Sequence, residues 1–429
     1  MTMISLKNTL SKMPNLKKLK NGITVLTDYV SSVETVCVGM WVYVGARNET
    51  SANNGVAHLL EHMAFKGTKN RTAKQISDEV EMIGGHVNAY TSREITAYHM
   101  KVLKEDIKTS VDIISDIMQF SSFDPKELDR ERGVILQEIG MYLDTPDDLV
   151  FDKWQETAYP NQPMGRSILG TADIIKNIKR EEVNGFMNDF YNPEKMVFSV
   201  SGNFNEEEVI NLVEDKFNHL PKGKNNFAEN SKYVGGDYRQ NKDLEQVNLV
   251  LGFDGVDYFS DLYYSTSVYS AVLGSGMSSR LFQEIREKRG LVYSISSFSS
   301  SYTDTGSFGI YAGTGSKEIK ELIPVLCDQL SIDANTFAPE ELQRAKALFK
   351  SSLLMGNEST SRRAQGNATQ QLLFDRVIPQ EERMEKINAV TLEDLEKARL
   401  NIIKSAITVS AIGPIENLET LESISKRLN

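Results

Sequence analysis

The stretch FDPKELDRERGVILQE, Phe123–Glu138, returns as FAPEELQRAKALFKSS over Phe337–Ser352, with Phe, Pro, Glu, Leu and Arg in register. In the first copy Asp124 is placed to cap a helix, Pro125 fits its first position and Glu127 its third, so a helix should run through ERGVILQEIGMY. Other segments echo in the same order. FSVSGNF around Val200 resembles ITVSAIG around Val409, and VETVCVGMWV from Val33 resembles EQVNLVLGFD from Glu245. Repetition over this span indicates two homologous domains of about 200 residues each.

Local patterns around the repeat set the fold class. LKKLKNGITVLTD, Leu16–Asp28, alternates apolar and polar residues on either side of Asn21-Gly22, which predicts a hairpin with a type I′ turn. The β-branched and aromatic run from Val33 predicts a long strand buried on at least one face. GGHVNAYTSREITAYHMKV, Gly84–Val102, reads as a second pair of strands. Helices and strands mix without strict βαβ alternation. The expectation is therefore an α+β fold in which each domain is a mainly antiparallel sheet packed with helices. The Lys-, Asn- and Gly-rich run 219–246 has no apolar period, which makes it a linker, with a mobile gate as the alternative. The expected domains are 1–218, then the linker 219–246, then 247–429.

Composition narrows the functions. The 429 residues are 25% charged and 40% hydrophobic, as in ordinary globular domains. Lys and Arg number 48 against 59 Asp and Glu, a formal charge of -11 that argues against a dedicated nucleic-acid or anionic-membrane binder. The two cysteines, Cys37 and Cys327, cannot form a disulfide framework or a cysteine-based zinc site, which fits a reducing compartment. No run of apolar residues is long enough to span a membrane. The start has scattered lysines and no apolar core of a signal peptide, so an untargeted bacterial cytoplasmic chain is expected, with the mitochondrial matrix as the alternative.

GVAHLLEHMAFKG, Gly55–Gly67, is the chemical centre of the sequence. Asn54 is placed to cap this helix and Gly67 to end it. Val56, Leu59, Leu60 and Met63 form an apolar stripe, and His58, Glu61, His62 and Phe65 repeat the spacing about 160° away. The second face, on so apolar a helix, is expected to be largely buried and to require partners. His58 and His62, one turn apart, either are satisfied structural histidines or chelate one ion. With five histidines in the chain, the combination His-x-x-Glu-His favours the ion. Glu61 beside them is suited to take a proton from an activated water.

A catalytic zinc needs a third protein ligand. Glu131 and Glu138 share one face of the repeated helix, and the second copy has Ala345 and Ser352 at those positions. The fold thus does not need these carboxylates, while the shared Phe, Pro, Leu and Arg serve it. Solvent-facing glutamates are the alternative for each taken singly.

HLLEH, His58–His62, with ERGVILQEI at its distance, resembles the pitrilysin-type zinc metallopeptidases, called inverzincins because the usual HExxH order is inverted. The resemblance implies one Zn²⁺ per chain on His58, His62 and Glu138, with Glu61 activating water and Glu131 as an accessory acid that orients a ligand histidine. In the second half FQEIREKRGLVYSI matches the substrate-contacting signature at Arg286 and Tyr293; residues alone would read a surface Arg and a core Tyr after a helix stopped at Gly290. GGHVNAYTS resembles the strand on which the family lays an extended peptide, with Asn88 and Ala89 at the matching positions. His86 in the same run is assigned to the structure, since three better-placed donors exist.

Within the family the likeness is to the short subfamily that includes the β subunit of the mitochondrial processing peptidase and its bacterial relatives. It implies half of a clamshell, completed by a second chain, that encloses short or unfolded peptides. Both motif sets are present and LGSGMSSRLF, Leu273–Phe282, is shorter than the extended glycine-rich loop of some partner subunits. A homodimer is therefore expected, with a heterodimer with a homologous subunit as the alternative. A non-catalytic assembly subunit is the competing function, and a closed structural zinc site ranks last because neither cysteine lies in the motifs.

Overall fold

The computed structural model of the chain describes residues 13–224 and 228–428. Residues 1–12, on which most of the untargeted-start reading falls, lie outside the described residues. The chain forms two compact units. One comprises the described residues of Met1–Leu136, Ile168–Phe227 and Leu353–Arg383, the other Gln137–Ser167, Ala228–Ser352 and Met384–Asn429. The grouping differs from a cut at 219–246. Each half of the sequence contributes one stretch to the unit built mainly from the other half.

The first unit holds β1 (Asn15–Lys18), β2 (Thr24–Tyr29), β3 (Thr35–Val42), β4 (His86–Thr91), β5 (Thr96–Leu103) and β6 (Met196–Gly202), in the order β1-β2-β6-β3-β5-β4. All pairs are antiparallel except β2 with β6. The β1–β2 hairpin forms where Asn21-Gly22 predicts it, but with a different turn. The Gly22 N–H bonds the Leu19 carbonyl at 3.0 Å, and Gly22 has φ 104° while Asn21 is not among the positive-φ residues. A type I′ turn needs both central residues left-handed. The longer loop here asks that only of glycine.

β3 lies inside the sheet, and Val36 to Val42 are all buried. On one face Cys37 and Trp41 pack, with Leu26, Ala97 and Val197, against Ala364 and Ala368 of the Thr360–Phe374 helix. The small residues let that helix approach closely, which explains why a segment of the second half belongs to the first sheet. The Ile107–Phe120 helix contacts β3 and β5. Asp28, 2% exposed on β2, is held by Arg363 of the 360–374 helix through Nε at 2.7 Å and Nη2 at 2.6 Å. A paired carboxylate is the form in which such burial is tolerated.

The second unit holds β7 (Gly236–Asn241), β8 (Val247–Asp254), β9 (Val292–Ser301), β10 (Gly306–Thr314) and β11 (Ile407–Gly413), ordered β7-β11-β8-β10-β9. Only β11 with β7 is parallel. The parallel pair thus recurs at the same place as β2 with β6, as a structural repeat requires. β7 lies within the run expected as a linker; its polar sequence GDYRQN hid it, because an edge strand needs little apolar alternation. Along β8, Val247, Leu249, Leu251 and Phe253 enter one core while Val250 enters another with Val150 and Trp154 of the Pro146–Ala158 helix. Period two explains the split. The Trp154 ring lies on bare backbone at Gly252, where a Cβ would come within 2.0 Å of Nε1.

The repeated segments are both helices, Pro125–Leu143 and Pro339–Gly356. Phe123 and Phe337 are each 3% exposed, and Leu128 and Leu342 are buried below them. The shared Arg130 is 70% exposed and pairs with Glu127 on the surface of the same helix.

Candidate metal centre

The Val56–Ala64 helix is pinned by its apolar stripe. Val56, Leu59, Leu60 and Met63 are all buried, each contributing about 1.5–3 kcal/mol as an upper estimate. Its start is capped differently from the expectation. Asn54 does not cap; its amide donates to Glu49 Oε2 at 2.8 Å. The same carboxylate accepts from the Gly55 N–H at 2.9 Å and, through Oε1, from the Ala57 N–H at 2.8 Å. Glu49 is 3% exposed. A buried anion at a helix N-terminus satisfies otherwise orphaned donors and complements the dipole.

The opposite face carries His58, Glu61, His62 and Phe65, mostly covered but none fully buried. The face remains open to a ligand. The His58 and His62 rings lie 4.6 Å apart at 70°. His58, His62 and Glu138 each offer one ligand atom, and these atoms lie within 4.8 Å of one another. Among the described residues this is the one group of His, Cys, Asp and Glu side chains that could hold a metal ion. Glu138 comes from the Pro125–Leu143 helix, which runs unbroken through the repeated segment.

That helix also carries Glu131, 5% exposed. Its Oε2 is 3.0 Å from His62 Nδ1, and Lys66 Nζ reaches Oε1 at 2.8 Å. A carboxylate accepts and does not donate, so this network assigns the His62 proton to Nδ1 and leaves the Nε2 lone pair for a metal. At the equivalent position of the second copy Ala345 is just as buried. The fold accepts a methyl group there, which isolates the Glu131 carboxylate as a feature of this site. Glu61 is held from β4, where Thr91 Oγ1 donates to its Oε2 at 2.5 Å.

The donor set fits zinc. Burial, aided by the neighbouring His62, lowers the His58 pKa to about 4, so the ring is neutral at pH 7 and keeps a lone pair. His58 Nδ1 is buried with no hydrogen-bond partner among the described residues, a cost that some further interaction must offset. Two imidazoles and one carboxylate on adjacent helices match a three-ligand site with an open fourth position. Replacing Glu131 with Ala should lower zinc affinity about 10–100-fold without unfolding the chain. Competition with a chromogenic chelator measures this; unchanged affinity would remove Glu131 from the site.

The other expected residues are placed as follows. Arg286 lies on a π-helical turn, Phe282–Glu287, closed by the Lys288 N–H on the Gln283 carbonyl at 3.0 Å, and its guanidinium stacks over Phe282 at 4.6 Å. Tyr293, on β9, is 75% exposed and so is not a core tyrosine. Asn88 and Ala89 lie on β4, the terminal strand of its sheet, opposite His99 and Tyr98. Asn88 Oδ1 accepts from the Ala89 N–H at 2.9 Å. His86 is exposed on the same strand and outside the metal-ligating group. Sequence reasoning missed Glu49, Lys66 and Thr91. Lys66 follows the end of the Val56–Ala64 helix, four residues after His62. Thr91 and Glu49 act through contacts no local pattern announces.

The family description "Insulinase (Peptidase family M16)" matches residues 24–172, and "Peptidase M16 inactive domain" matches residues 177–349. A protein of Rickettsia bellii named "Uncharacterized zinc protease" is 41% identical over 93% of this chain and 97% of its own length. The "Mitochondrial-processing peptidase subunit beta" of Blastocladiella emersonii is 34% identical over 96% of this chain and 91% of its own. A chain of the crystal structure of a protease from Helicobacter pylori shares the fold at TM-score 0.87 and 24% identity, covering 94% of this chain and all 100% of that one. With its paired α+β units and relatives matched nearly end to end, the chain belongs to peptidase family M16, in the short subfamily similar to the processing-peptidase β subunit.

Proposed function

We propose that the chain is a zinc-dependent endopeptidase acting on short or unfolded peptides, and the convergence of His58, His62 and Glu138 carries this reading. When bound, the zinc supplies Lewis-acid polarisation of the scissile carbonyl and acidifies a water. Glu61, steadied by Thr91, accepts the proton of the attacking water and delivers it to the leaving amine. Glu131 fixes the His62 ring, and Lys66 holds Glu131.

β4 offers its edge to an extended peptide, which would take over the Ala89 N–H from Asn88 Oδ1. Backbone pairing of this kind is tolerant of sequence. Arg286 and Tyr293 are the substrate-contacting residues of the second unit, both available to solvent. The working form is a homodimer enclosing a peptide-sized chamber, in a bacterial cytoplasm or a mitochondrial matrix. No helix of the described residues is long and apolar enough to cross a membrane.

A second reading is a subunit that needs a homologous partner, favoured by the relative named as a β subunit. Cleavage of a quenched-fluorescent extended peptide by the purified chain separates the two. Turnover that a chelator abolishes and zinc restores supports the complete peptidase. Stoichiometric zinc without turnover favours the partner-dependent subunit.

A further inference from the structure

We infer that the first unit carries an anion site, sharing no residue with the metal centre, that takes a phosphate dianion. The site is a cavity of about 90 Å³ between Met13, Pro14 and Asp28 on one side and the stretch 357–383 on the other. That is room for more than one water. Three arginines line it, Arg362, Arg363 and Arg383, with Asp28 as the one carboxylate.

Charge bookkeeping shows that the carboxylate is already spent. Asp28 takes Arg363 on both oxygens, at 2.6 and 2.7 Å, and also accepts from Asn367 at 3.1 Å and Ser201 at 3.2 Å. Arg376 nearby in sequence pairs with Glu382 at 2.6 Å, so that acid is engaged as well. Arg362 and Arg383 have no carboxylate partner among the described residues. Gln380 accepts from Asn357, which leaves its amide nitrogen as a further donor at the cavity.

Arg362, which is exposed, and Arg383, which is half-buried, thus line one small cavity without a carboxylate partner among the described residues, in a chain whose formal charge is -11. Like charges lining one cavity repel, and an anion between them would offset that repulsion. Guanidinium forks match phosphoryl oxygens, and two positive charges match a dianion better than a carboxylate. An anion here would join Arg362 of the Thr360–Phe374 helix to Arg383 of the Gln380–Ala389 helix. Binding to the folded form alone raises stability by mass action.

The test is thermal unfolding of the full chain at pH 7.5 with phosphate, acetate or chloride at matched ionic strength. Saturable stabilisation by phosphate is expected, about 5–10 °C in the melting of the first unit at roughly a hundredfold excess over Kd, and none by acetate. Arg362→Gln and Arg383→Gln should each remove most of the shift. Line broadening of the ³¹P signal of phosphate by the wild-type chain, lost in both variants, is the readout should a variant melt lower in chloride. An AMP arm separates sources: tighter binding than phosphate assigns a phosphomonoester, equal or weaker binding assigns free phosphate. Phosphate also strengthens burial non-specifically. A shift that does not saturate, or survives in both variants, or is matched by chloride, overturns the site.

Discussion

Glu61→Gln is expected to lower peptide turnover by about 10²–10⁴-fold while zinc stays bound. Glu61 is not among the three candidate ligands, so losing its charge leaves the donor set intact. The amide keeps the size of the side chain and can still accept from Thr91 Oγ1, which now bonds Oε2 at 2.5 Å. What it cannot do is accept a proton from water. The loss should therefore fall on kcat rather than on KM, as for an interaction made in the transition state. Steady-state kinetics beside zinc analysis reads both. Turnover equal to wild type would discard Glu61 as the base, whereas lost turnover with lost zinc would make it a structural residue of the site.

Breaking the Asp28–Arg363 pair is the second large effect. Arg363→Ala removes the bidentate partner of a carboxylate that is 2% exposed and leaves it only Asn367 and Ser201. An uncompensated buried charge costs about 3–5 kcal/mol. The residues are 335 apart in sequence, so the loss should appear as earlier unfolding of the first unit in denaturant. The double variant Asp28→Leu, Arg363→Leu should recover much of it, because replacing both partners leaves no orphaned charge. A single variant within 1 kcal/mol of wild type, in the sense that ordinary surface changes are, would contradict this account of how a segment of the second half is held to the first sheet.

What was legible in the sequence follows physical range. The repeat, the Val56 helix and the β4–β5 hairpin were readable because their signals are local: a cap, a stripe, an alternation. For the candidate metal site, His58 and His62 were readable from their spacing of one turn, and the repeat narrowed the third donor to Glu131 or Glu138; the likeness to the pitrilysin type selected Glu138, whose ligand atom lies within 4.8 Å of theirs. Features that depend on how the chain folds back on itself were not. Asn54 stood where a cap is expected, yet Glu49 caps the helix because its carboxylate folds back into a buried loop. The segment 353–383 joins the first unit through Ala364 and Ala368, whose small size carries no signal of destination. The π-helical turn at Arg286 requires one residue more per turn, which no composition marks.

The central claim is that His58, His62 and Glu138 hold one zinc ion. Plasma-emission analysis of the purified chain, compared with Glu138→Ala after dialysis against a weak chelator, tests it most directly. The account predicts about one zinc per wild-type chain, the number a single three-ligand site holds, and little in the variant, with both chains equally folded by circular dichroism. No zinc in the wild type after loading, or undiminished zinc in the variant, would contradict it.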